Sequence, residues 1–511
     1  MKNIKNAIIH ILILIVLFFS GCTELDEKVY DQLPADAYGI NEKQINSVIA
    51  PIYRTLKNAF AGGFWAFAEC TSDMTVTPTR KGGDWWDGGQ YKAARQHSWT
   101  PSTSGVVEGY NNCMNAVSTC NQIYYTIENS AADIDNREQV LAEIRGVRAF
   151  WYYMLIDGWG NVPVVTDFTD TSKPVTKSRS EVYAFIISEL NAIKDLVRDD
   201  VSSSSYGKIT KGVVYTLLAK MYLNAEVWNP GGGAQWQACA DACDVVMGLD
   251  YVLEADWKVN FKVHNETSGE IIFPAIFSTS DKGNSLAKRT LHYLDPIALG
   301  LSIGTWNGIS GMPAFVKSFD EADKRKGWSF LTGEMKNPDT GETLITAHGR
   351  QLIHTEDITM KYNIDADGWG YVEQEEGARC FKWEYETGLS GDMENDYAIF
   401  RLADVYLMKA EALVRMGKDN DKATALVNAI RSRAFDDASK LLSAVTLDDI
   451  YRERRFELAW ESMGRQDQIR FGTFLDAIPG WKETSDAKYL LFPIPQTAIN
   501  ANPSLTQNPG Y

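Results

Sequence analysis

The fold prediction starts from Arg401-Leu-Ala-Asp-Val-Tyr-Leu-Met-Lys-Ala-Glu-Ala-Leu413, in which apolar and small residues recur at helical spacing. The same periodicity extends this predicted helix over Tyr397 to Met416 and predicts another from Lys422 to Ala434. Gly417 and Asp419, which lie between the two, are typical turn residues. The segment therefore predicts a helical hairpin.

Two further pairs of predicted helices precede this hairpin. They are Arg137 to Ile156 with Ser180 to Val197, and Lys211 to Ala225 with Gln235 to Met247. Small residues such as Gly146, Ala219 and Ala410 recur on these helices, as close helix packing requires. The pattern predicts a mainly α protein whose tetratricopeptide-like helical hairpins stack into a right-handed superhelix. The strict repeat signature is absent, and an ordinary helical bundle is the alternative.

The composition changes between Leu249 and Asp396, where Gly, Asp, Asn, Thr and aromatic residues crowd together and helical periodicity fades. Glu270 to Phe277 is predicted as a short strand within it. We therefore expect a single domain over residues 41–511. Its helical scaffold would comprise residues 41–248 and 397–511, and residues 249–396 would form a loop-rich insertion with short strands.

The N-terminus has the features of a signal peptide over residues 1–21. Lys2 and Lys5 precede an apolar run from Ala7 to Phe19, and Ser20 and Gly21 lead into Cys22. A helix over the apolar run would be only ~20 Å long against a hydrocarbon core of ~30 Å, so a membrane-spanning anchor is the weaker alternative.

The small residues before Cys22 resemble the lipobox of bacterial lipoproteins, in which this cysteine becomes the acylated N-terminus. Phe19 departs from that pattern, because leucine is usual three residues before the cysteine, and plain signal-peptidase cleavage is the alternative. The acidic residues that follow suit a hydrated tether, which we place at residues 22–40.

The charge balance restricts the partners. The chain has 50 basic and 67 acidic residues, and loss of residues 1–21 removes two lysines, which brings the net charge from −17 to −19. Such a charge disfavours nucleic acid and anionic lipid surfaces, so we expect attachment through acyl chains and a ligand that is neutral or cationic.

No catalytic, metal or cofactor site is predicted. The six histidines are scattered, and the sequence contains no HExxH, phosphate loop or nucleophile elbow. The six cysteines beyond Cys22 are interpreted mostly as small core residues. An extracellular glycoside hydrolase needs two carboxylates roughly 5–9.5 Å apart, and so acidic a chain offers many pairs, so this class stays open without positive support.

Several further sequence motifs are typical of one protein family. They are Arg148-Ala-Phe-Trp-Tyr-Tyr153 with Gly158-Trp-Gly-Asn-Val-Pro163, Leu217-Leu-Ala-Lys-Met-Tyr222, Val427-Asn-Ala-Ile-Arg-Ser-Arg-Ala434, Glu453-Arg-Arg-Phe-Glu-Leu-Ala-Trp-Glu461, Phe492-Pro-Ile-Pro495 and Gln507-Asn-Pro-Gly-Tyr511. In this order, together with the opening segment above, they resemble the SusD/RagB family of outer-membrane nutrient-binding lipoproteins. The resemblance covers nearly the whole mature chain.

The resemblance implies a lipid-anchored protein on the outer membrane, facing the cell surface, that captures glycans and passes them to a SusC-like TonB-dependent transporter. It implies no chemistry. Two alternatives stay open within the same framework, a peptide ligand or a purely structural role in capping the transporter. A neutral sugar is preferred to an anionic one because of the acidic net charge.

The family motifs themselves are expected to belong to the structural scaffold. Glu453, Glu457 and Glu461 lie on one predicted helix face beside arginines, where i,i+4 ion pairs are usually structural. Phe150, Tyr153 and Trp159 are interpreted as core. The ligand site must then be sought elsewhere, in loops.

Sugar recognition needs aromatic faces flanked by polar side chains, and three loop clusters offer that mixture. The first comprises Asp73, Arg80, Asp84, Trp85, Trp86 and Gln90, the second Tyr293, Trp306 and Asn307, and the third Trp369, Tyr371 and Arg379. For each cluster alone, ordinary loop packing explains the residues equally well. Convergence of two clusters in space would favour ligand contact.

Overall fold

The computed structural model describes residues 42–281, 283–360 and 371–511, which form a mainly helical protein. The predicted signal peptide at residues 1–21, the predicted lipidation of Cys22, the tether at residues 22–40 and Trp369 lie outside the described residues. No helix within the described ranges is both long and apolar enough to span a membrane.

The helices follow the predicted order. They are α1 (Glu42–Arg54), α2 (Leu56–Ala59), α3 (Gly63–Glu69), α4 (Gln90–Gln96), α5 (Ser104–Glu128), α6 (Arg137–Gly158), α7 (Arg179–Ile193), α8 (Lys211–Leu223), α9 (Ala225–Trp228), α10 (Trp236–Met247), α11 (Leu286–Thr290), α12 (Asp295–Leu299), α13 (Pro313–Val316), α14 (Lys324–Ser329), α15 (Leu402–Arg415), α16 (Asn420–Ala434), α17 (Leu447–Glu457), α18 (Gly464–Phe471) and α19 (Gln496–Ala501). Those longer than ten residues lie on both sides of the loop-rich segment.

The long helices pack as hairpins, which confirms the predicted tetratricopeptide-like, mainly α class. Helix α6 packs between α5 and α7, α10 packs against α8 and α15, and α15 packs against α16 and α17. Their starts are set by side-chain caps, because Ser178 forms a capping box with Glu181 and Thr210 accepts from the Val213 N–H. Gly146 allows the close approach, since a Cβ there would lie 2.4 Å from Ile209.

The strands are short and pair in twos. They are β1 (Thr75–Val76), β2 (Val162–Pro163), β3 (Thr176–Lys177), β4 (Ile271–Ala275), β5 (Ser310–Gly311), β6 (Phe330–Leu331), β7 (Gly333–Glu334), β8 (Ile353–His354), β9 (Arg379–Cys380) and β10 (Tyr397–Arg401). The antiparallel pairs are β1–β5, β2–β3, β4–β10, β6–β9 and β7–β8. Most of them lie in the loop-rich region, as predicted.

One predicted helix start is wrong. Tyr397–Arg401 is a strand, and helix α15 begins only at Leu402. All five residues of β10 are buried. The strand pairs with β4 (Ile271–Ala275), so the backbone groups of both strands find hydrogen-bond partners across the sheet. A continuous buried apolar run fits a strand as well as a helix, and a pairing partner more than 100 residues away along the chain decides between them.

The interior is formed by the residues interpreted as core. Phe150, Tyr153 and Trp159 are buried, and the Phe492 ring packs 5.4 Å from Trp159 while its N–H donates to the Gly158 carbonyl at 2.8 Å. The C-terminal arm thus lies over the helices. The six cysteines among the described residues are free and buried.

A buried ion-pair network ties α17 to the rest of the fold, and we call it the Glu457 network. Glu457 accepts from Arg325 at 3.0 Å, from Arg401 at 2.6 Å and from Arg433 at 2.6 Å. Further carboxylates share these arginines, namely Asp323, Glu453, Glu270 and Glu461. The family motif from Glu453 to Glu461 is therefore structural, as expected.

Candidate functional site

Three loop segments meet at one place on the surface: residues 80–91, 289–311 and 371–380. The Lys81 N–H donates to the Val372 carbonyl at 2.8 Å, which joins the first segment to the third. The Arg289 carbonyl accepts from Gly308 at 2.9 Å and from Ile309 at 3.0 Å, which folds the second segment back on itself. The structure thus brings together parts of all three predicted clusters.

The first and second clusters meet through their rings, which we call the aromatic platform: Trp85, Trp306 and Tyr293. The Trp85 and Trp306 rings lie 6.5 Å apart at 49°, and the Trp85 indole N–H donates to the Trp306 carbonyl. Trp85 is half-buried against Tyr91, whereas Trp306 is 43% exposed and Tyr293 is 38% exposed. Large exposed rings gathered at one place are unusual unless they bind something.

The backbone of the platform is conformationally strained. Trp85 has φ +63° and Asn307 has φ +55°, both in the left-handed region that side-chain-bearing residues rarely adopt. Gly308 makes room for the indole, because a Cβ there would lie 2.4 Å from Trp85 and 2.5 Å from the Arg289 carbonyl. Such strain persists only where the surrounding structure enforces it, and it concentrates at functional sites.

Polar groups surround the platform. The Tyr293 hydroxyl donates to Asp84 at 2.5 Å, and burial followed by this carboxylate raises the pKa of Tyr293, so the hydroxyl stays protonated. The Arg289 guanidinium lies 5.5 Å from the centre of the Trp306 ring. Lys81 pairs with Glu373 at 3.3 Å and lies 5.8 Å from the Tyr371 ring.

Two buried arginines beneath the platform hold the loops together, and we call them the arginine clamp. Arg80 donates to the carbonyls of Asn307 at 3.0 Å, Gly308 at 3.0 Å and Glu376 at 2.7 Å. Arg379 donates to the Glu376 carbonyl at 3.0 Å. Both also bond the Ser310 hydroxyl.

The clamp consists of cations that donate to neutral oxygens. Burial, and then the neighbouring Arg379, lower the pKa of Arg80, while burial lowers the pKa of Arg379 to about 10. Asn307 completes the arrangement, because its amide donates to the Gln374 carbonyl at 3.0 Å and accepts from Arg379 at 2.7 Å.

This burial changes the expected role of three predicted residues. Arg80, Asn307 and Arg379 have no exposed surface, so their side chains hold the platform in place and do not reach a ligand. The sequence suggested contact because arginine and asparagine in glycine-rich loops usually face water. The backbone partners of the Arg80 side chain lie more than 200 residues away along the chain, which no local pattern reveals.

The remaining predicted residues divide between site and scaffold. Asp73 forms an ion pair with Arg455 at 2.8 Å and is part of the scaffold. Trp86 is half-buried above Gly89, and Gln90 begins α4 beside it. Tyr371 lies on the third segment, with its ring 5.8 Å from the Lys81 ammonium group.

Arg289 and Lys81 lie among these polar groups but are not among the ligand-binding residues predicted from the sequence. Lys81 directly follows Arg80 in the sequence, and Arg289 lies over the ring of Trp306. The described ranges contain no group of three or more His, Cys, Asp or Glu side chains placed to hold a metal ion. Flat aromatic faces with hydroxyl, carboxylate and guanidinium groups beside them can stack on a sugar ring and hydrogen-bond its hydroxyls.

Two family models match the chain. Residues 269–511 match the SusD family, and residues 25–223 match a family described as starch-binding associating with outer membrane. The starch-binding protein SusD of Bacteroides thetaiotaomicron is 28% identical over 410 residues, which is 72% of each chain. A SusD-like protein of Formosa agariphila is 22% identical over the full length of both chains.

Solved structures share the fold. A laminarin binding SusD-like protein superposes with a TM-score of 0.72 at 21% identity, covering 93% of this chain and 100% of that one. Surface glycan-binding protein A from Bacteroides thetaiotaomicron, in complex with laminarihexaose, superposes with a TM-score of 0.71 at 18% identity, covering 91% and 99%. The two family models together cover residues 25–223 and 269–511, and the chain belongs to the SusD-like family.

Proposed function

We propose that this protein is a cell-surface glycan-binding lipoprotein that captures an oligo- or polysaccharide and delivers it, unchanged, to a SusC-like TonB-dependent transporter. The observation that carries the proposal is the convergence of Trp85, Trp306 and Tyr293 from two distant loops onto one exposed platform. Loop packing alone does not explain why rings 43% and 38% exposed are gathered over an arginine clamp.

The geometry suits binding without chemistry. Trp306 offers an open face for the apolar side of a sugar ring, and Asp84 and Arg289 offer an acceptor and donors for hydroxyl groups. Asp84 and Arg289 carry opposite charges, and Lys81 is paired with Glu373, so the rim is close to electrically neutral. A neutral sugar is therefore the preferred ligand of the platform.

The comparisons support the class of ligand. One relative is named a starch-binding protein and two structural neighbours are named for laminarin or laminarihexaose, which are neutral glucose polymers. Delivery to a transporter and acylation of Cys22 at the outer membrane are proposed from the family resemblance and from the signal-peptide pattern. The absence of a recognised catalytic motif supports binding without turnover.

The first experiment uses the soluble protein without Met1 to Cys22 on a glycan array, followed by calorimetry on each ligand found. Trp306→Ala is expected to weaken binding at least tenfold, about 1.4 kcal/mol, because the exposed stacking face is lost. Tyr125→Ala is the matched control, since Tyr125 is 42% exposed and packs against Phe168 away from the platform. Equal affinities for the wild type and Trp306→Ala would reject the platform as the site.

The alternatives give different results. Release of shorter sugars after incubation with the ligand would identify a glycoside hydrolase. If no glycan is retained but the protein still co-purifies with a barrel transporter, a purely structural cap is correct. Retention of peptides in place of glycans would identify the peptide-binding alternative.

A further inference from the structure

A pocket separate from the aromatic platform lies in the loop-rich region, and we call it the Trp328 pocket. It has a volume of about 330 Å³, within the roughly 300–1,000 Å³ typical of ligand sites. Its lining includes Lys258, Lys262, Trp328, Phe381, Glu384 and Tyr385. None of its lining residues belongs to the aromatic platform or to the polar groups around it.

The walls of the pocket are aromatic and fixed. Trp328 stacks on the fully buried Trp257 at 5.6 Å and 25°, which sets the plane of its ring. Phe381 is 36% exposed and lies edge-on to Tyr385 at 5.8 Å, and the Tyr385 hydroxyl donates to the Cys380 carbonyl at 2.5 Å. These rings offer apolar surface to a ligand without prior rearrangement.

The cations of the pocket are unevenly matched by carboxylates. Lys382 is buried and pairs with Glu461, so it is already neutralised. Lys258 and Lys262 are exposed, and within the described residues no carboxylate lies at ion-pair distance from either ammonium group. Glu384 is the carboxylate of the lining, and it accepts from the Val263 N–H at 2.9 Å.

Lys258 and Lys262, with Glu384, give the open part of the pocket a net charge of +1, whereas the net charge of the chain is −17. The Lys258 ammonium is held 5.0 Å from the centre of the Trp328 ring. The neighbouring Lys324, at 5.6 Å from the same ring, differs in being paired with Asp436 at 2.8 Å. Lys258 and Lys262 thus have donors to spare for an anionic group beside aromatic surface.

We propose that the Trp328 pocket is a second glycan subsite, which takes a sugar unit carrying a carboxylate or a sulfate. The sugar ring would pack against Phe381 and Tyr385, and its anionic group would bond Lys258 and Lys262. The proposal takes the class of ligand from the proposed function but assigns a different place and the opposite charge preference from the platform. Acidic glycan would then reach the protein despite the overall negative charge, because the attraction acts within about a Debye length of the two lysines.

The test is calorimetry on the purified mature protein with three probes: tetragalacturonate, a sulfated galactose tetramer and the neutral galactose tetramer. Wild type is expected to bind at least one acidic tetramer more tightly than the neutral one. In Lys258→Gln/Lys262→Gln this binding is expected to weaken at least tenfold, and in wild type it should weaken as salt rises. Comparison of the carboxylated and sulfated tetramers identifies which anion is preferred.

Two further variants make the test specific. Lys418→Gln/Lys422→Gln removes two exposed lysines near the start of α16 and controls for net charge. Trp306→Ala affects the platform and should leave acidic tetramer binding unchanged. The proposal is overturned if neither acidic tetramer binds, if the control double variant weakens binding equally, or if Trp306→Ala abolishes it. The platform is judged separately by its neutral ligand.

Discussion

Two of the regions in which the protein buries arginines satisfy them in different ways. In the Glu457 network, Arg325, Arg401 and Arg433 face carboxylates, and although burial opposes charge, the carboxylates raise the pKa of each. In the arginine clamp, Arg80 and Arg379 face carbonyl oxygens and a hydroxyl, and burial lowers the pKa of both.

The difference distinguishes the scaffold from the candidate site. Ion pairs join α14, β10, α16 and α17 through their side chains, while carbonyl acceptors let two side chains hold the backbones of three irregular loops. A carboxylate in the clamp would have neutralised the charge of its arginine but would require an acidic residue at a fixed position. Backbone carbonyl groups are present in every loop, whatever its sequence. The clamp can thus hold the three loops whatever side chains they expose.

The largest expected effect comes from breaking the Glu457 network. Glu457→Gln leaves three buried guanidinium groups short of a charge, which costs roughly 3–5 kcal/mol of unfolding free energy. Urea denaturation measures it. Glu42→Gln is the control, because its ion pair with Arg198 is exposed at Glu42 and is worth at most about 1 kcal/mol. Similar losses in both variants would contradict the distinction.

A carboxyl at the edge of the same network sharpens the comparison, because burial dominates its pKa. Burial raises the pKa of Glu69 from 4.5 to about 7, whereas the arginines lower the pKa of Glu457 despite its burial. A raised pKa means that the folded state holds the proton longer, so this contribution to stability is present below pH 4.5 and is lost as the pH rises to about 7.

The unfolding free energy of Glu69→Gln, compared with that of the wild type, should therefore rise by up to roughly 3 kcal/mol between pH 5 and pH 8. The substituted amide keeps an acceptor for the Ser462 N–H, which donates to Glu69 at 2.5 Å. Urea denaturation of both proteins at the two pH values gives the difference, in which other titrating groups cancel. A constant difference would show that Glu69 is ionised at pH 5.

The smallest effect on stability, with a clear effect on binding, is expected from breaking the clamp. Arg80→Met leaves carbonyl oxygens of Asn307, Gly308 and Glu376 without their donor, at a cost of roughly 2 kcal/mol. Calorimetry should show at least tenfold weaker glycan binding, because Trp306 is no longer held.

Arg54→Met is the control for the clamp variant, since the Arg54 side chain is 70% exposed and pairs with Asp281 on the surface. If Arg80→Met weakens stability but leaves glycan affinity at the wild-type value, the clamp supports only the fold. If it changes neither, the carbonyl-bonded arginines are dispensable.

Sequence reasoning reaches the scaffold because helical periodicity is local. The hairpin helices agree with their predicted bounds to within a few residues, and the one wrong start, at Tyr397, depends on a strand partner at Ala275. The candidate site is predicted in part. Trp85, Trp306 and Tyr293 stand out as rings in polar loops, but their meeting depends on contacts across more than 200 residues.

What the sequence could not reveal is which polar loop residues turn inward. Arg80 and Arg379 look like surface residues in their local context, and only tertiary structure shows them buried. The Trp328 pocket was missed for a related reason. Lys258 and Phe381 lie in separate segments, neither of which carries a motif, and only the fold places them side by side.

The six buried cysteines have a practical consequence. Burial raises the pKa of Cys70 to about 11 and those of Cys120 and Cys380 to about 12, and the thiols have almost no exposed surface. Thiolate is the nucleophile in alkylation, so these groups are inert to maleimide dyes in the folded protein. In the form without Met1 to Cys22, a single cysteine introduced beside either proposed glycan site would then carry a fluorophore selectively, and the six buried thiols could stay in place.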